Sequence, residues 1–80
     1  KPKPYIYTLI ATQMVVKPEE CIVIEDSDAG VIAGADAGMA VVAVPNRFTT
    51  EHDFSKAKAV LKGFNGMTFA KLSNLASLSN

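Results

Sequence analysis

Residues 21–30 read Cys-Ile-Val-Ile-Glu-Asp-Ser-Asp-Ala-Gly, and the interpretation of the whole chain depends on them. The apolar run Cys21–Ile24 predicts a strand that is covered on both faces, as strands of parallel sheets are. Two adjacent acids, Glu25 and Asp26, follow this run, and a helix-like pattern begins directly after Ser27. Ligands of open α/β sheets bind outside the carboxyl ends of the strands, so both acids lie where chemistry is expected.

The paired acids admit two interpretations. Neighbouring carboxylates at a strand end suit a hard cation such as Mg²⁺, which takes one or two carboxylates and completes its shell with water and phosphate. Asp and Ser are also preferred helix N-caps, and Asp26, Ser27 or Asp28 could serve only that purpose. Capping leaves Glu25 unexplained, because it would lie at the strand end with no cap to make. The spacing by itself leaves both interpretations open.

Composition limits the classes of protein to consider. A chain of 80 residues forms one small domain at most, and it buries only about 60–65% of its unfolded surface. Eight basic and eight acidic residues cancel, which gives no electrostatic case for nucleic acid. No apolar run is long enough to span a membrane. The single cysteine, Cys21, excludes an internal disulfide, and one thiol without a visible leader favours a cytoplasmic setting.

Helical and strand patterns alternate along the chain, which predicts parallel strands joined by right-handed crossovers. Gly30 and Gly34 lie four residues apart in one of these helices, and we expect them to allow close packing on the sheet. The predicted elements are a helix at about Pro4–Met14, a strand at Cys21–Glu25, a helix at Ala29–Ala37 ended by Gly38, a strand at Ala40–Val44, a short helix at Glu51–Phe54, a strand at Ala59–Leu61 and a helix at Phe69–Leu75 capped by Thr68, with residues 76–80 frayed.

Two blocks of sequence, in this order, resemble a known family. Lys1–Tyr7 reads Lys-Pro-Lys-Pro-Tyr-Ile-Tyr, and Pro18–Gly30 contains Glu-Asp-Ser-Asp-Ala-Gly after the strand; Ala37–Met39 follows as Ala-Gly-Met. Together they resemble the haloacid dehalogenase superfamily, and within it the β-phosphoglucomutase-like phosphatases and mutases. The resemblance implies a Rossmann-like three-layer α/β/α fold with a parallel sheet. Residues 1–80 would form the C-terminal part of that core domain, without the nucleophile strand and the cap domain.

The resemblance also implies roles for individual residues. Lys1, rather than Lys3, would bind the phosphoryl group and neutralise the nucleophilic carboxylate. Asp26 would be the more direct ligand of Mg²⁺, and Glu25 would often contact the ion through a water molecule. Ser27 would lie beside the phosphate or behind the metal ligands. Tyr5 stands where the family usually has Asp. Tyr7 is expected to be half buried, and neither tyrosine nor the lone His52 is assigned any chemistry.

A function follows from these expectations. The full-length parent would be a Mg²⁺-dependent phosphomonoester hydrolase that acts on a small phosphorylated metabolite through an aspartyl-phosphate, or a phosphomutase of the β-phosphoglucomutase type. Its partners would be that metabolite and the rest of its own core and cap domains, with no nucleic acid and no membrane. The family's nucleophile, in an Asp-x-Asp motif on an earlier strand, is missing, because the one such spacing, Asp26–Asp28, belongs to the metal block. We therefore expect this piece alone to be inactive.

Two other classes of protein share features with this sequence, namely receiver domains and non-catalytic interaction modules. A receiver domain also carries acids at strand ends and one lysine, but its acids come early and its lysine late, whereas Lys1 precedes the acids here. The chain could instead be a non-catalytic interaction module. In the family the strand that bears the acids pairs with the nucleophile strand, so one edge of Cys21–Glu25 would be open, and an open edge invites pairing with another chain.

Overall fold

The structure, a computed structural model, describes residues 4–63 and 66–77. Its order of elements agrees with the predicted one except at two places: the short helix predicted at Glu51–Phe54 is absent, and a short 3₁₀ helix, Pro18–Glu20, precedes the first strand. The elements are α1 (Tyr5–Met14), β1 (Ile22–Glu25), α2 (Asp28–Asp36), β2 (Ala40–Ala43), β3 (Ala59–Val60) and α3 (Phe69–Ser77).

The three strands form one parallel sheet in the order β1-β2-β3. Val23 of β1 is paired with Val41 of β2, and Glu25 is paired with Ala43 at the carboxyl ends of both strands. Since side chains alternate between the faces of a strand, these four residues lie on one face. In the part of the chain that the structure describes, β1 pairs through one edge only.

Helices cover both faces of the sheet. On the face of Val23 and Val41, α1 contributes Ala11 and α2 contributes Val31 to a shared apolar core, and Ala37, directly after α2, belongs to the same core. The helix α3 packs against β2, and its Ser73 and Ala76 line a hollow with Ile22 and Ala40, which belong to the other face. Val42, also on that face, is completely buried. The predicted three-layer α/β/α arrangement with a parallel sheet is therefore confirmed.

The two glycines of α2 allow close packing on the sheet, as expected. A Cβ atom on Gly34 would lie 2.8 Å from Val41 Cγ2 and 3.4 Å from Val23 Cβ. A Cβ atom on Gly30 would lie 2.8 Å from Glu25 Cγ and closer still to its carboxylate. Gly38 adopts φ +85° directly after the helix, which is the left-handed region that glycine favours.

Two details of the sequence-based assignment are wrong. The short helix predicted at Glu51–Phe54 does not form, because residues 47–51 make turns in which side chains bond the backbone. Thr49 Oγ1 accepts from the backbone N–H of Asn46 at 2.9 Å, and Asp53 Oδ1 accepts from the N–H of Ser55 at 2.9 Å. The last helix includes Ala76 and Ser77, which were predicted to fray, and the remainder of that prediction, residues 78–80, lies outside the described residues. Its predicted cap is confirmed, since Thr68 Oγ1 accepts from the N–H of Lys71 at 3.1 Å.

Candidate active site

The first turn of α2 settles which residue caps that helix. Ser27 has extended backbone, with φ −134°, and its Oγ accepts a hydrogen bond from the N–H of Gly30 at 3.3 Å. Asp28 is the first helical residue, and a negative charge there interacts favourably with the helix dipole. The carboxylates of Glu25 and Asp26 therefore take no part in the cap, and this removes the alternative that the acids are present only for capping.

Glu25 is half buried at the carboxyl end of β1, on the face covered by α1 and α2. The hydroxyl of Tyr7 in α1 donates a hydrogen bond to Glu25 Oε2. Burial raises the pKa of Tyr7 to about 12, and the hydrogen bond to Glu25 and its negative charge add to the effect. Tyr7 is therefore protonated at neutral pH and acts as a donor. It was expected to be half buried, but its contact with Glu25 was not predicted.

Asp26 is exposed at the same end of the sheet, and a residue that follows β2 contacts it. Asn46 Nδ2 donates to Asp26 Oδ2 at 2.9 Å. The Asn46 side chain is oriented by its own turn, because its Oδ1 accepts from the backbone N–H of Phe48 at 2.8 Å. Thr49, which closes that turn, is only 8% exposed. The loop after β2 thus presents an amide donor to the more exposed acid.

The lone histidine lies beside the acidic segment. His52 Nδ1 accepts a hydrogen bond from the backbone N–H of Asp28 at 3.1 Å and lies 3.3 Å from Asp28 Oδ1. A ring nitrogen that accepts an N–H carries no proton, so the contact with the Asp28 carboxylate is not an ion pair in this arrangement. His52 thereby satisfies one N–H of the first turn of α2, a role that its position in the sequence did not reveal.

Three of the four predicted site residues are consecutive in the chain and lie within the described residues. Glu25, Asp26 and Ser27 occupy the carboxyl end of β1 and the start of α2. Lys1 lies outside the described residues. The residues that reasoning from sequence missed, Tyr7, Asn46 and His52, are 18, 20 and 24 positions away from the residues they contact. The one available signal was the proximity of strand ends in a parallel sheet, which would have brought Asn46 into consideration.

The donor set can be tested against the expected cation. Within residues 4–63 and 66–77 no group of three or more His, Cys, Asp or Glu side chains is arranged to hold a metal. Glu25 and Asp26 offer two carboxylates, and Mg²⁺ usually takes one or two from the protein and fills its shell with water and phosphate. The two acids fit Mg²⁺ in number and chemistry. They do not by themselves form a site in which every metal ligand comes from the protein.

A second feature lies along the unpaired edge of β1. A hollow of about 470 Å³ separates this edge from α1 and continues to the Glu25 side chain. Its walls are mostly apolar and include Ile10, Met14 and Val16, which are all partly exposed.

No helix in the described part of the chain is long and apolar enough to cross a membrane.

The structure thus has a parallel α/β fold with two acids at the end of one strand, and comparisons with known proteins relate this fold to a known family. A sequence profile of haloacid dehalogenase-like hydrolases matches residues 1–38. Protein CbbY of Cereibacter sphaeroides is 35% identical over 78 residues, which are 98% of this chain and 32% of that protein. The putative phosphatase YhcW of Bacillus subtilis (strain 168) is 49% identical over 49 residues, 61% of this chain and 22% of that protein.

A solved structure gives the same result at the level of the fold. The crystal structure of CbbY from Rhodobacter sphaeroides in complex with phosphate is similar with a TM-score of 0.85 and 32% sequence identity. The match covers 91% of this chain and 33% of that structure. The chain belongs to the haloacid dehalogenase superfamily. It spans about a third or less of the length of the curated relatives that it matches.

Proposed function

We propose that this chain is the C-terminal part of the core domain of a longer Mg²⁺-dependent phosphatase that acts on a small phosphorylated metabolite. The observation that carries the proposal is the pair Glu25 and Asp26 at the carboxyl end of β1, in a chain whose relatives include phosphatases. The presence of phosphate in the similar CbbY structure supports a phosphorylated substrate. In the proposed reaction the phosphoryl group is carried as an aspartyl-phosphate on a nucleophile outside these residues.

Each residue of the proposed site has a separate task. Asp26, exposed and directed by Asn46, would bind the cation most directly. Glu25, whose second oxygen is engaged by Tyr7, would act through water. Lys1 would bind the phosphoryl oxygens, and Ser27 would shape the start of α2 beside them. A bound Mg²⁺ neutralises charge on the phosphoryl group, which is the main requirement of this chemistry because little covalent work falls to the protein.

The test uses the full-length protein that contains this chain and a panel of small phosphomonoesters, with and without Mg²⁺. We expect phosphate release that requires Mg²⁺ and falls by about 100-fold or more in Asp26→Asn, because a metal supplies several kcal/mol of charge stabilisation. The matched control is Asp36→Asn, which removes an exposed carboxylate at the end of α2 that pairs with Lys56. Metal-independent release, or equal rates for Asp26→Asn and Asp36→Asn, would contradict the proposal.

A phosphomutase of the β-phosphoglucomutase type is a finer version of the same proposal. Both reactions need the cation and the lysine, and they differ in whether water or a second substrate hydroxyl receives the phosphoryl group. Isomerisation of a sugar phosphate without net release of phosphate would favour the mutase. We also propose a cytoplasmic location, because the chain contains a single thiol.

The second candidate is a non-catalytic interaction module. The unpaired edge of β1 and the apolar hollow beside it favour this candidate, because an open strand edge is a template for another strand. The two candidates separate on the full-length protein: the phosphatase proposal expects Mg²⁺-dependent release of phosphate, and the module expects none. Both expect residues 1–80 alone to be inactive, and turnover by that piece would refute the module.

A further inference from the structure

The carboxylate of Glu25 is confined from two sides. On one side the hydroxyl of Tyr7, from α1, donates to its Oε2. On the other side the first turn of α2 passes so close that a Cβ on Gly30 would lie 2.8 Å from Glu25 Cγ. Two helices, α1 and α2, therefore determine where the Glu25 side chain lies. The contact from α1 is a single polar group, the hydroxyl of Tyr7.

The hydroxyl of Tyr7 has a task separate from that of its ring. The ring packs against the apolar core that Ala11 and Val23 belong to, and a phenylalanine ring would fill the same space. The hydroxyl reaches past this core to the one charged side chain on that face of β1. Packing alone thus explains an aromatic residue at position 7, and only the contact with Glu25 explains the hydroxyl.

The other tyrosine provides an internal comparison. Tyr5 stands two residues away on the same helix and is 69% exposed. The hydrogen bond to Glu25 therefore follows from the position of Tyr7 on the buried flank of α1, and a tyrosine elsewhere in this helix does not provide it.

We infer that Tyr7 is a positioning residue for the cation site: its hydroxyl holds the Glu25 carboxylate in one orientation at the tip of β1, next to Asp26. The inference rests on the proposed function, since it assigns Tyr7 to the metal site proposed there. Partners that orient metal-binding carboxylates commonly change metal affinity by about 10- to 100-fold when they are removed. Tyr7 itself touches neither cation nor substrate in this account.

The test measures Mg²⁺ binding by titration calorimetry on the metal-free, full-length protein, so that it does not depend on turnover. Tyr7→Phe keeps the ring and removes the hydroxyl, and we expect the Mg²⁺ dissociation constant to rise about tenfold. Tyr5→Phe is the matched control and should leave it unchanged. In a Glu25→Gln background, Tyr7→Phe should cause no further loss, because the carboxylate it orients is no longer there.

A second variant keeps the test decisive if Tyr7→Phe folds poorly. Gly30→Ala places a methyl group against the end of the flexible Glu25 side chain, so it should displace the carboxylate while leaving the fold intact. We expect weaker Mg²⁺ binding for this variant, and Gly63→Ala, where a Cβ would meet nothing within 4 Å, is its control.

The possible outcomes separate the inference from the proposed function. If the wild type binds Mg²⁺, Asp26→Asn does not, and both Tyr7→Phe and Gly30→Ala bind as the wild type does, the role of Tyr7 is wrong while the phosphatase proposal stands. If the wild type binds no Mg²⁺, both are wrong. Weaker binding by Tyr7→Phe that is absent in the Glu25→Gln background supports the inference.

Discussion

At the scale of single residues, the end of α1 carries an unusual backbone conformation. Val15 adopts φ 59° and ψ 45°, the left-handed region, and its side chain is 89% exposed. A β-branched residue is rare there, because its Cβ approaches the following carbonyl at a cost of about 1–2 kcal/mol. The exposed side chain gains little packing in return, so this position lowers the stability of the fold.

Replacing Val15 by Asn should therefore stabilise the chain. Asn tolerates the left-handed region and is accepted at helix ends, so we expect the free energy of unfolding to rise by about 1 kcal/mol. Urea denaturation of wild type and variant measures this change. Val16→Asn, on the next residue and also partly exposed, serves as the control, and an equal gain there would contradict the explanation by backbone conformation.

The ionisation of Tyr7 gives a pH dependence with a definite sign. Its pKa is raised from 10.0 to about 12 in the folded chain, so the neutral phenol is the form that folding favours. This contribution to stability is fully present below pH 10 and is lost as the pH rises through about 12. Between pH 10 and pH 12 we therefore expect the free energy of unfolding of the wild type to fall relative to that of Tyr7→Phe.

Ultraviolet absorbance of tyrosinate measures the ionisation directly. The difference between the titration curves of wild type and Tyr7→Phe should report Tyr7 alone and have its midpoint near pH 12. A midpoint near the ordinary value of 10.0 would show that the hydroxyl is neither buried nor hydrogen-bonded to Glu25.

At the scale of elements, α2 depends on its two glycines for different reasons. Gly34 faces the core, where a Cβ would lie 2.8 Å from a methyl group of the buried Val41. Gly30 faces the Glu25 side chain, which can move. Replacement by Ala should therefore lower the stability of the fold at Gly34, whereas at Gly30 it should displace the Glu25 carboxylate of the proposed site.

Gly34→Ala should destabilise the chain. Overpacking a close-packed core costs about 1–3 kcal/mol, and the better helix propensity of Ala returns about 1 kcal/mol. We expect a net loss of about 1 kcal/mol in urea denaturation, against a change within about 1 kcal/mol for Gly30→Ala. A stabilised Gly34→Ala variant would mean that α2 does not pack on the sheet as closely as described.

The elements that could be predicted are those with a strong local signal. The apolar run of β1, the Thr68 cap and Gly38 all act through near neighbours in sequence, and each is where the pattern indicated. The pattern left Asp26, Ser27 and Asp28 open as caps of α2, and the structure selects Ser27. The short helix at Glu51–Phe54 was wrong because side chains in the loop compete with helical hydrogen bonds for the backbone, as Asn46 and Thr49 do.

The contacts around the site were not predictable from the same patterns. The acid pair was recognised because both residues are adjacent in sequence and end a strand. The donors to them come from α1 and from the loop after β2, and the strand register and the helix positions that bring them close are set by tertiary packing. A pattern within one sequence carries no record of that register.

At the scale of the whole molecule, the described residues leave a surface that suits a larger domain. Several apolar side chains of α1 are exposed, and the hollow of about 470 Å³ follows the unpaired edge of β1. The chain also spans about a third or less of the length of its relatives. These observations support the proposal that further parts of a core domain complete the site.

The piece and the full-length protein should therefore differ in activity. We expect residues 1–80 prepared alone to release no phosphate from the panel of phosphomonoesters under conditions in which the full-length protein does, because the proposed nucleophile would lie outside these residues. Circular dichroism of the piece is the control for folding. Turnover by a folded piece would show that these residues hold a complete site.

The most direct measurement of the central claim locates the cation itself. Paramagnetic Mn²⁺, added in place of Mg²⁺ to the isotopically labelled full-length protein, broadens the amide signals of the residues nearest to the bound ion. We expect the signals of Glu25, Asp26 and Ser27 to disappear first, and we expect Asp26→Asn to abolish the effect. Broadening centred elsewhere, with these three signals unchanged, would contradict it.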